Sequence, residues 1–433
     1  MERQVKVIVD FSARVLYHVL TRHVSHDRAY QAAAREYRKA LNIVPPRVLY
    51  KVSHDIVSDY HTVRHIEKYV YGATGGSKRA ARLWLALLGP EKEYLQPYID
   101  GVERLRRKLL KTLPRHVESI EDVIETAGSE AEKLAIKYSF PTWFTKLILQ
   151  LLGPYSAERL LASLNEEKWW IRVNTLKADP DRVAARLEEK GVIVRRDRDL
   201  PYMLEVVDFS EPLHHLEEMW RGEIVFQDKA SAMVVEALEP EPGDVILDLA
   251  AAPGVKDTLV MQLTENRARI IAVDVSWARL QRTKRLLRMY GVDISRIEVV
   301  QADSTTLHLR LKPSKVMLDA PCTSSGAVGK DPAIKLHLDD LNWVARFPPL
   351  QAAMLETALK YRAPAVYAVC SILPMEGEEQ VVKIIERGAA SLRRPRIPAA
   401  HGYAVYGDVA RKTARFLPSL HQTQGFFISL LEP

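Results

Sequence analysis

Val245-Ile-Leu-Asp-Leu-Ala-Ala-Ala-Pro-Gly-Val-Lys256 is an apolar run that breaks into a turn of small residues and then opens a helix. A continuous apolar run closed by a turn is how a strand buried on both faces reads, and such strands belong to parallel sheets. Working outward, the same alternation recurs: Ile270–Val273, a helix from Ser276 to Met289, Ile297–Val300, Val316–Leu318 and Ala365–Val369. Strands alternating with helices predict a mostly parallel, doubly wound α/β sheet, whose ligands bind beyond the carboxyl ends of its strands.

The residues at those strand ends carry chemistry. Asp274 closes the strand after Asp248, where a carboxylate accepts hydrogen bonds from the two ribose hydroxyls of an adenosine. A nucleoside cofactor is therefore expected at this edge. The G-x-G-x-x-G cradle for a pyrophosphate is missing, so NAD falls behind S-adenosylmethionine; an ordinary βα turn is the blander reading. Leu318-Asp-Ala-Pro-Cys-Thr-Ser-Ser-Gly326 is a second strand end, and brings Asp319 and Cys322 to the same rim. Ala368-Val-Cys-Ser371 is a third. A single cysteine is most simply a small buried residue. Here both cysteines of the chain, Cys322 and Cys370, fall at strand ends, which favours a chemical role.

Toward the start of the chain, Phe11, Val15, Leu16, Val19 and Leu20 recur at helical spacing, and further helical runs (Arg47–Ser53, Val63–Tyr71, Arg79–Leu88, Val102–Thr112) are broken by Pro and Gly. This predicts an all-α N-terminal domain over residues 1–135. Arg104, Arg106, Arg107, Lys108 and Lys111 give it a basic face, which suits phosphates or is merely solvated. Short strands mixed with a helix (Trp170–Asn174, Pro180–Lys190, Val192–Arg196, Leu204–Val207, Glu223–Gln227) predict a small α+β module over 136–238, leaving 239–433 for the doubly wound sheet. A length of 433 residues fits such a multidomain division. The 62 Lys and Arg against 55 Asp and Glu leave a net charge of +7, which favours a polyanionic partner. No apolar run is long enough to span a membrane and no secretion signal stands out, and two cysteines make no disulfide framework, so a cytoplasmic, reducing location is expected.

Taken together, Ala251-Ala-Pro-Gly254 with Lys256, Asp319-Ala-Pro-Cys322 running on to Lys330-Asp-Pro-Ala-Ile-Lys335, and Cys370-Ser371 before Pro374 and Glu376 resemble the RNA 5-methylcytosine methyltransferases of the Sun/RsmB type, the NOL1/NOP2/Sun family. The likeness reaches upstream to Arg172-Val-Asn-Thr-Leu-Lys177 and Gln227-Asp-Lys-Ala230 and downstream to Gly425-Phe-Phe427. The helical N-terminal region looks like a NusB-like RNA-binding domain. The resemblance implies a Rossmann-like S-adenosylmethionine-dependent methyltransferase domain acting on rRNA or tRNA, with no indication of a protein partner. It assigns the methionine end of S-adenosylmethionine to Ala250, Ala251, Ala252, Pro253, Gly254, Val255 and Lys256, the ribose to Asp274 and the adenine surroundings to Asp303, with Asp319 also at the cofactor.

C5 of cytosine is a poor nucleophile, and adding a thiolate at C6 turns the ring into an enamine that can attack a sulfonium methyl. The resemblance makes Cys370 the attacking cysteine and Cys322 the one that assists release. DNA cytosine methylases attack from a Pro-Cys motif, which keeps Cys322 as rival nucleophile. Asp319 would hydrogen-bond the cytosine edge, and if protonated donate to N3; capping its turn is the alternative. Such chemistry needs a single-stranded or flipped cytosine. The strand from Arg172 to Lys177 with Lys330 and Lys335 offers phosphate contacts, and Trp169, Trp170 and Trp343 stack bases or fill cores. Two departures from the family stand out. Val255 replaces Gly or Ser and would resist a positive φ, and Asp257 replaces Thr. Val255, together with the helical basic domain, motivates a second reading, a non-catalytic RNA-binding or ribosome-assembly factor on the same fold. An amino-methyltransferase ranks last, because its Asn/Asp-Pro-Pro-aromatic motif is replaced by Asp-Ala-Pro-Cys.

Overall fold

The computed structural model describes residues 2–117, 119–210 and 213–433, and the chain divides into two compact units. One comprises 1–166 with 328–344, the other 167–327 with 345–433.

The first unit is helical. Its opening helix, Glu2–Arg22, buries Ile8, Phe11, Val15, Leu16 and Val19 on one face, as their spacing requires. Helices Pro46–Ser58, Tyr60–Tyr71, Ser77–Leu87 and Ile99–Leu110 follow close to the predicted runs. Helical structure continues past residue 135 through Glu130–Tyr138 and Thr142–Leu164, so the boundary of this unit lies some thirty residues later than the pattern alone suggests (135 against 166).

The second unit holds two sheets among its described residues. The smaller is antiparallel, with strands β1 (Trp169–Val173), β2 (Val192–Arg196), β3 (Met203–Phe209) and β4 (Ile224–Phe226) in the order β2-β3-β1-β4. The helix Pro180–Glu189, capped by Asp179, turns Val183 and Leu187 into the same core as Ile171, Val173 and Leu204. Arg172 does not offer itself to phosphates. It is 1% exposed, its guanidinium donates to Gln262 Oε1 at 2.6 Å and Thr258 Oγ1 at 2.5 Å, and burial lowers its pKa to about 10. Lys177 is likewise committed, donating to the carbonyls of Arg221 and Met289 at 2.9 and 2.6 Å. Trp170 fills the core and donates to Gln422 O.

The larger sheet runs β5 (Val245–Asp248), β6 (Arg269–Asp274), β7 (Ile297–Gln301), β8 (Lys315–Asp319), β9 (Ala365–Val369), β10 (Ser391–Arg393), β11 (Ala400–His401), β12 (Ala414–Phe416) and β13 (Phe426–Glu432). Its spatial order is β11-β12-β13-β9-β8-β5-β6-β7, with β10 on the side of β13. The strands β9, β8, β5, β6 and β7 are parallel, as predicted, while β13 joins β9 antiparallel and carries an antiparallel edge. The chain proceeds from β5 to β7 on one side and returns to β8 on the other, so the order reverses between β5 and β8. That switch point is where such sheets open a crevice for ligands.

The segment 328–344, expected beside the site, belongs instead to the helical unit, and Lys335 shows why. Its side chain is 1% exposed, and its ammonium donates to Ser58 O at 2.9 Å and Tyr138 O at 3.2 Å and lies 4.6 Å from the centre of the Phe140 ring. Burial lowers its pKa to about 7. His61 Nε2 donates to the carbonyl of the same residue at 3.1 Å, and Asp331 accepts from His26 N at 3.1 Å. Lys335 is a structural pin rather than a phosphate contact, and Trp343 stacks on His23 within this unit. Replacing Lys335 by Ala takes the ammonium donor from Ser58 O and leaves Tyr138 O with Asn165 Nδ2. The expected cost is about 2 kcal/mol, read by mass spectrometry as roughly thirtyfold faster amide exchange over residues 333–338.

Candidate active site

The carboxyl ends of β5, β6, β8 and β9 surround a cavity of about 460 Å³, within the range of small-molecule sites. Ala250, Ala252, Asp274, Asp303, Asp319 and both cysteines line it, which brings together the greater part of the residues chosen from sequence. Ala251, Pro253, Gly254, Val255 and Lys256 build the turn beside it. Asp248 accepts from Ala250 N at 2.9 Å, and Gly254 takes φ +94°, where a Cβ would lie 2.6 Å from Thr283 Cγ2. Glycine is thus required by both backbone and space at this position. Val255 needs no positive φ: it is the first residue of the helix Val255–Leu263, and the objection raised against its β-branched side chain falls. Arg172 holds that helix from behind.

Asp274 is buried at the end of β6, with Oδ1 accepting from Ser276 N at 2.8 Å and Oδ2 3.2 Å from Arg279 NH1. Each oxygen keeps a free lone pair for a hydroxyl donor. Arg279 joins the site: it lines the cavity and also donates to Ala252 O. Its place five residues after Asp274, on the helix Trp277–Met289, was the available signal. Asp303 is exposed and accepts from Thr305 N at 2.9 Å, which holds its carboxyl below the usual range. The cavity volume, the small-residue turn and two carboxylates with acceptor capacity fit an adenosine-bearing ligand.

Across the cavity, Lys256 Nζ is paired with Asp319 Oδ2. Burial works against the lysine's charge, but Asp319 and Asp248 outweigh it and raise the pKa. The sulfurs of Cys322 and Cys370 stand 3.2 Å apart, and Ser324 Oγ lies 3.4 Å from Cys370 Sγ. The S–H of Cys322 holds the Cys370 thiol below its ordinary value against the effect of burial, with Ser324 and the Lys256 ammonium acting in the same direction. That same hydrogen bond, with burial, pushes the Cys322 thiol well up. The pair therefore has one thiolate-prone member and one proton-bearing member.

The loops carrying the cysteines are fixed from several sides. Gly326 N donates to Cys370 O at 3.0 Å, and Gly425 N to Gly326 O at 2.8 Å. Gly326 is pressed so closely on Gly425 that a Cβ would sit 2.0 Å from its carbonyl oxygen. Arg415, with no exposed surface, donates to Ser371 O at 3.0 Å and pairs through two nitrogens with Glu378, also fully buried. Sequence reading missed Ser324, Arg415 and Glu378, because a buried ion pair between distant positions has no local pattern.

Residues 235–432 match the family model of the 16S rRNA methyltransferase RsmB/F, and residues 140–209 that of the RsmF/B-like ferredoxin-like domain. Ribosomal RNA small subunit methyltransferase B of Serratia proteamaculans is 30% identical over 315 residues, covering 69% of this chain and 70% of the relative. Its counterpart from Klebsiella pneumoniae is 29% identical over 350 residues, 79% and 77% of the two chains. The crystal structure of NSun6 from Pyrococcus horikoshii with SFG superposes with a TM-score of 0.62 at 25% identity, covering 68% of this chain and 98% of that one. The chain belongs to the RsmB/F family of RNA methyltransferases, in which S-adenosylmethionine is the methyl donor. Among the described residues no helix is long and apolar enough to cross a membrane.

Asp257 is wholly buried, and the side-chain oxygens that Thr would not have brought stand against Asp248. Burial raises Asp248 to about 6, and burial together with Asp248 raises Asp257 well above the usual carboxylate range. A folded pKa above the unfolded value of about 3.9 means that folding takes up a proton. That contribution is full below about pH 4 and is lost as pH rises through about 6. Asp257→Asn removes the second carboxyl. Its melting temperature, measured by calorimetry from pH 5 to pH 9, should fall by several degrees less than that of the wild type.

Proposed function

We propose that the protein methylates C5 of cytosine in RNA through a covalent adduct between Cys370 and C6. The observation that carries this reading is the pair of sulfurs 3.2 Å apart with opposite protonation preference at the rim of the donor cavity. Bound in that cavity, S-adenosylmethionine supplies an electrophilic methyl group. The Ala250–Lys256 turn would hold its methionine end, Asp274 its ribose, and Asp303 the adenine surroundings.

Cys370, the more readily ionised thiol, attacks C6 and moves the ring electrons to C5, which takes the methyl group. The C5 proton then leaves and the Cys370–C6 bond breaks, which restores the C5=C6 double bond; Cys322 assists this release. The neighbouring Cys370 and burial push the Cys322 thiol up, which suits it to carrying a proton. Lys256 occupies one oxygen of Asp319, and the other remains an acceptor for the exocyclic amino group of cytosine. The strain that motivated a non-catalytic reading is not present at Val255. A cytosine in rRNA or tRNA must be unstacked to reach the rim, so single-stranded or flipped sites are the expected targets, in a cytoplasm that keeps both thiols reduced.

In this reading the helical unit binds RNA, the small antiparallel sheet positions it and the larger sheet carries catalysis. In the first, a groove of about 400 Å³ is lined by Lys6, Lys78, Arg82, Arg104 and Lys108. Asp10 and Glu2 pair with Lys78 and Arg104, so the groove keeps a positive excess suited to a phosphate backbone.

Two outcomes are expected. With labelled donor and total RNA, wild type yields 5-methylcytidine, Cys370→Ala yields none detectable by mass spectrometry, and Cys322→Ala accumulates a denaturation-resistant RNA adduct. Absence of methylcytidine from every RNA fraction would overturn the reading. Arg82→Glu and Lys108→Glu should each weaken RNA binding and reduce the slope of log affinity against log salt by about 1 in a filter-binding titration.

A further inference from the structure

Thr323, the residue after Cys322, and Ser371, the residue after Cys370, meet at one carboxylate. Glu376 lies in the short turn Pro374–Glu376 and has no exposed surface. Its Oε1 accepts from Thr323 N at 2.9 Å and from Gln351 Nε2 at 3.1 Å. Its Oε2 accepts from Thr323 Oγ1 at 2.5 Å and from the hydroxyl of Ser371. Ser371 Oγ also accepts from Leu373 N at 3.1 Å and lies 2.8 Å from Ser325 Oγ, so both cysteine loops are knotted through this point. Gln351 extends the same network to Pro321 O at 2.9 Å, on the other flank of Cys322.

The two loops depend on this carboxylate unequally. The Cys370 loop has a tie of its own, Arg415 on Ser371 O, while Gly326 N on Cys370 O joins the far end of the Cys322 loop to it and leaves Pro321–Thr323 to other partners. Around Cys322, the hydrogen bonds of Thr323 N and of the Gln351 amide converge on Glu376. Burial pushes the Glu376 carboxyl up, and the donors around it work the other way, so its retention inside the protein depends on their staying in place.

We propose that Glu376 is a positioning residue that holds the Cys322 loop against the Cys370 loop, and that it thereby acts on the release half of the reaction rather than on attack. The second clause rests on the cytosine reading; the first does not. The isosteric amide preserves the clamp. Its oxygen can take the two N–H donors, and its NH2 can donate to the two hydroxyl oxygens, which accept once they turn. A group that took up a proton during the reaction would not survive that exchange.

Two readouts separate the clamp from the chemistry. A bifunctional bimane that fluoresces only when both ends have alkylated reports whether Cys322 and Cys370 remain adjacent, with no RNA or donor present. Glu376→Ala should bridge at least about tenfold more slowly than wild type while each thiol still alkylates singly, and Glu376→Gln should restore bridging to within about threefold. With RNA and donor, Glu376→Ala should accumulate at least about tenfold more covalent RNA adduct than wild type at unchanged donor affinity. Should Glu376→Ala fail to fold, Thr323→Val removes one donor and gives the same pattern in weaker form. Bridging of Glu376→Ala at the wild-type rate overturns the clamp, and a Gln variant as defective in turnover as the Ala variant assigns Glu376 to proton transfer instead. Intact bridging with no methylcytidine from wild type leaves the clamp standing and removes the cytosine reading alone.

Discussion

The pairing of β8 with β9 is the constraint on which the site depends. Asp319 lies opposite Ala368, and Ala320 N donates to Ala368 O at 2.9 Å. Both strands are buried on both faces, so the register cannot slip without exposing apolar side chains and burying polar ones. Fixed in this way, the chain leaves β8 and β9 side by side, and residues three beyond Asp319 and two beyond Ala368 bring their sulfurs together. The reversal of strand order between β5 and β8 then opens the crevice next to them. The sulfur pair and the cavity beside it are thus consequences of one strand order.

Charge inside the second unit is distributed so that each buried group has a purpose for its neighbours. Lys256 and Asp319 neutralise each other at the rim, Arg415 and Glu378 do so beneath the Cys370 loop, and Arg172 supports the cofactor turn through neutral acceptors. Buried pairs of this kind add little net stability but are costly to break, which makes them suitable for fixing geometry. The Asp248–Asp257 contact is the exception: two like groups side by side, tolerable only while they hold a proton.

Much of the second unit was legible in the sequence because period and turn chemistry are local. The strands from Val245 to Val369, the glycine turn, and the convergence of Asp274, Asp319, Cys322 and Cys370 all follow from such patterns. The antiparallel edge was not: Phe426–Glu432 is an apolar run whose direction relative to β9 depends on contacts sixty residues away. Arg172 and Lys335 were misread for a different reason. A basic residue in a sequence reads as solvated or phosphate-bound, and only the fold reveals that its donors end on buried carbonyls and amides. The transfer of 328–344 to the helical unit follows from the same blindness to distant partners.

The close contact of Gly326 with Gly425 also bears on how the protein is made. A chain leaves the ribosome from its N-terminus at about 5–20 residues per second. The strands β5 to β8 can emerge well before the strand Phe426–Glu432 that follows Gly425 and backs β9. Until that last hairpin arrives, the loop bearing Cys322 lacks the backbone surface it rests on. The two cysteine loops therefore reach their final geometry only after β13 has been made, later than the strands that carry them.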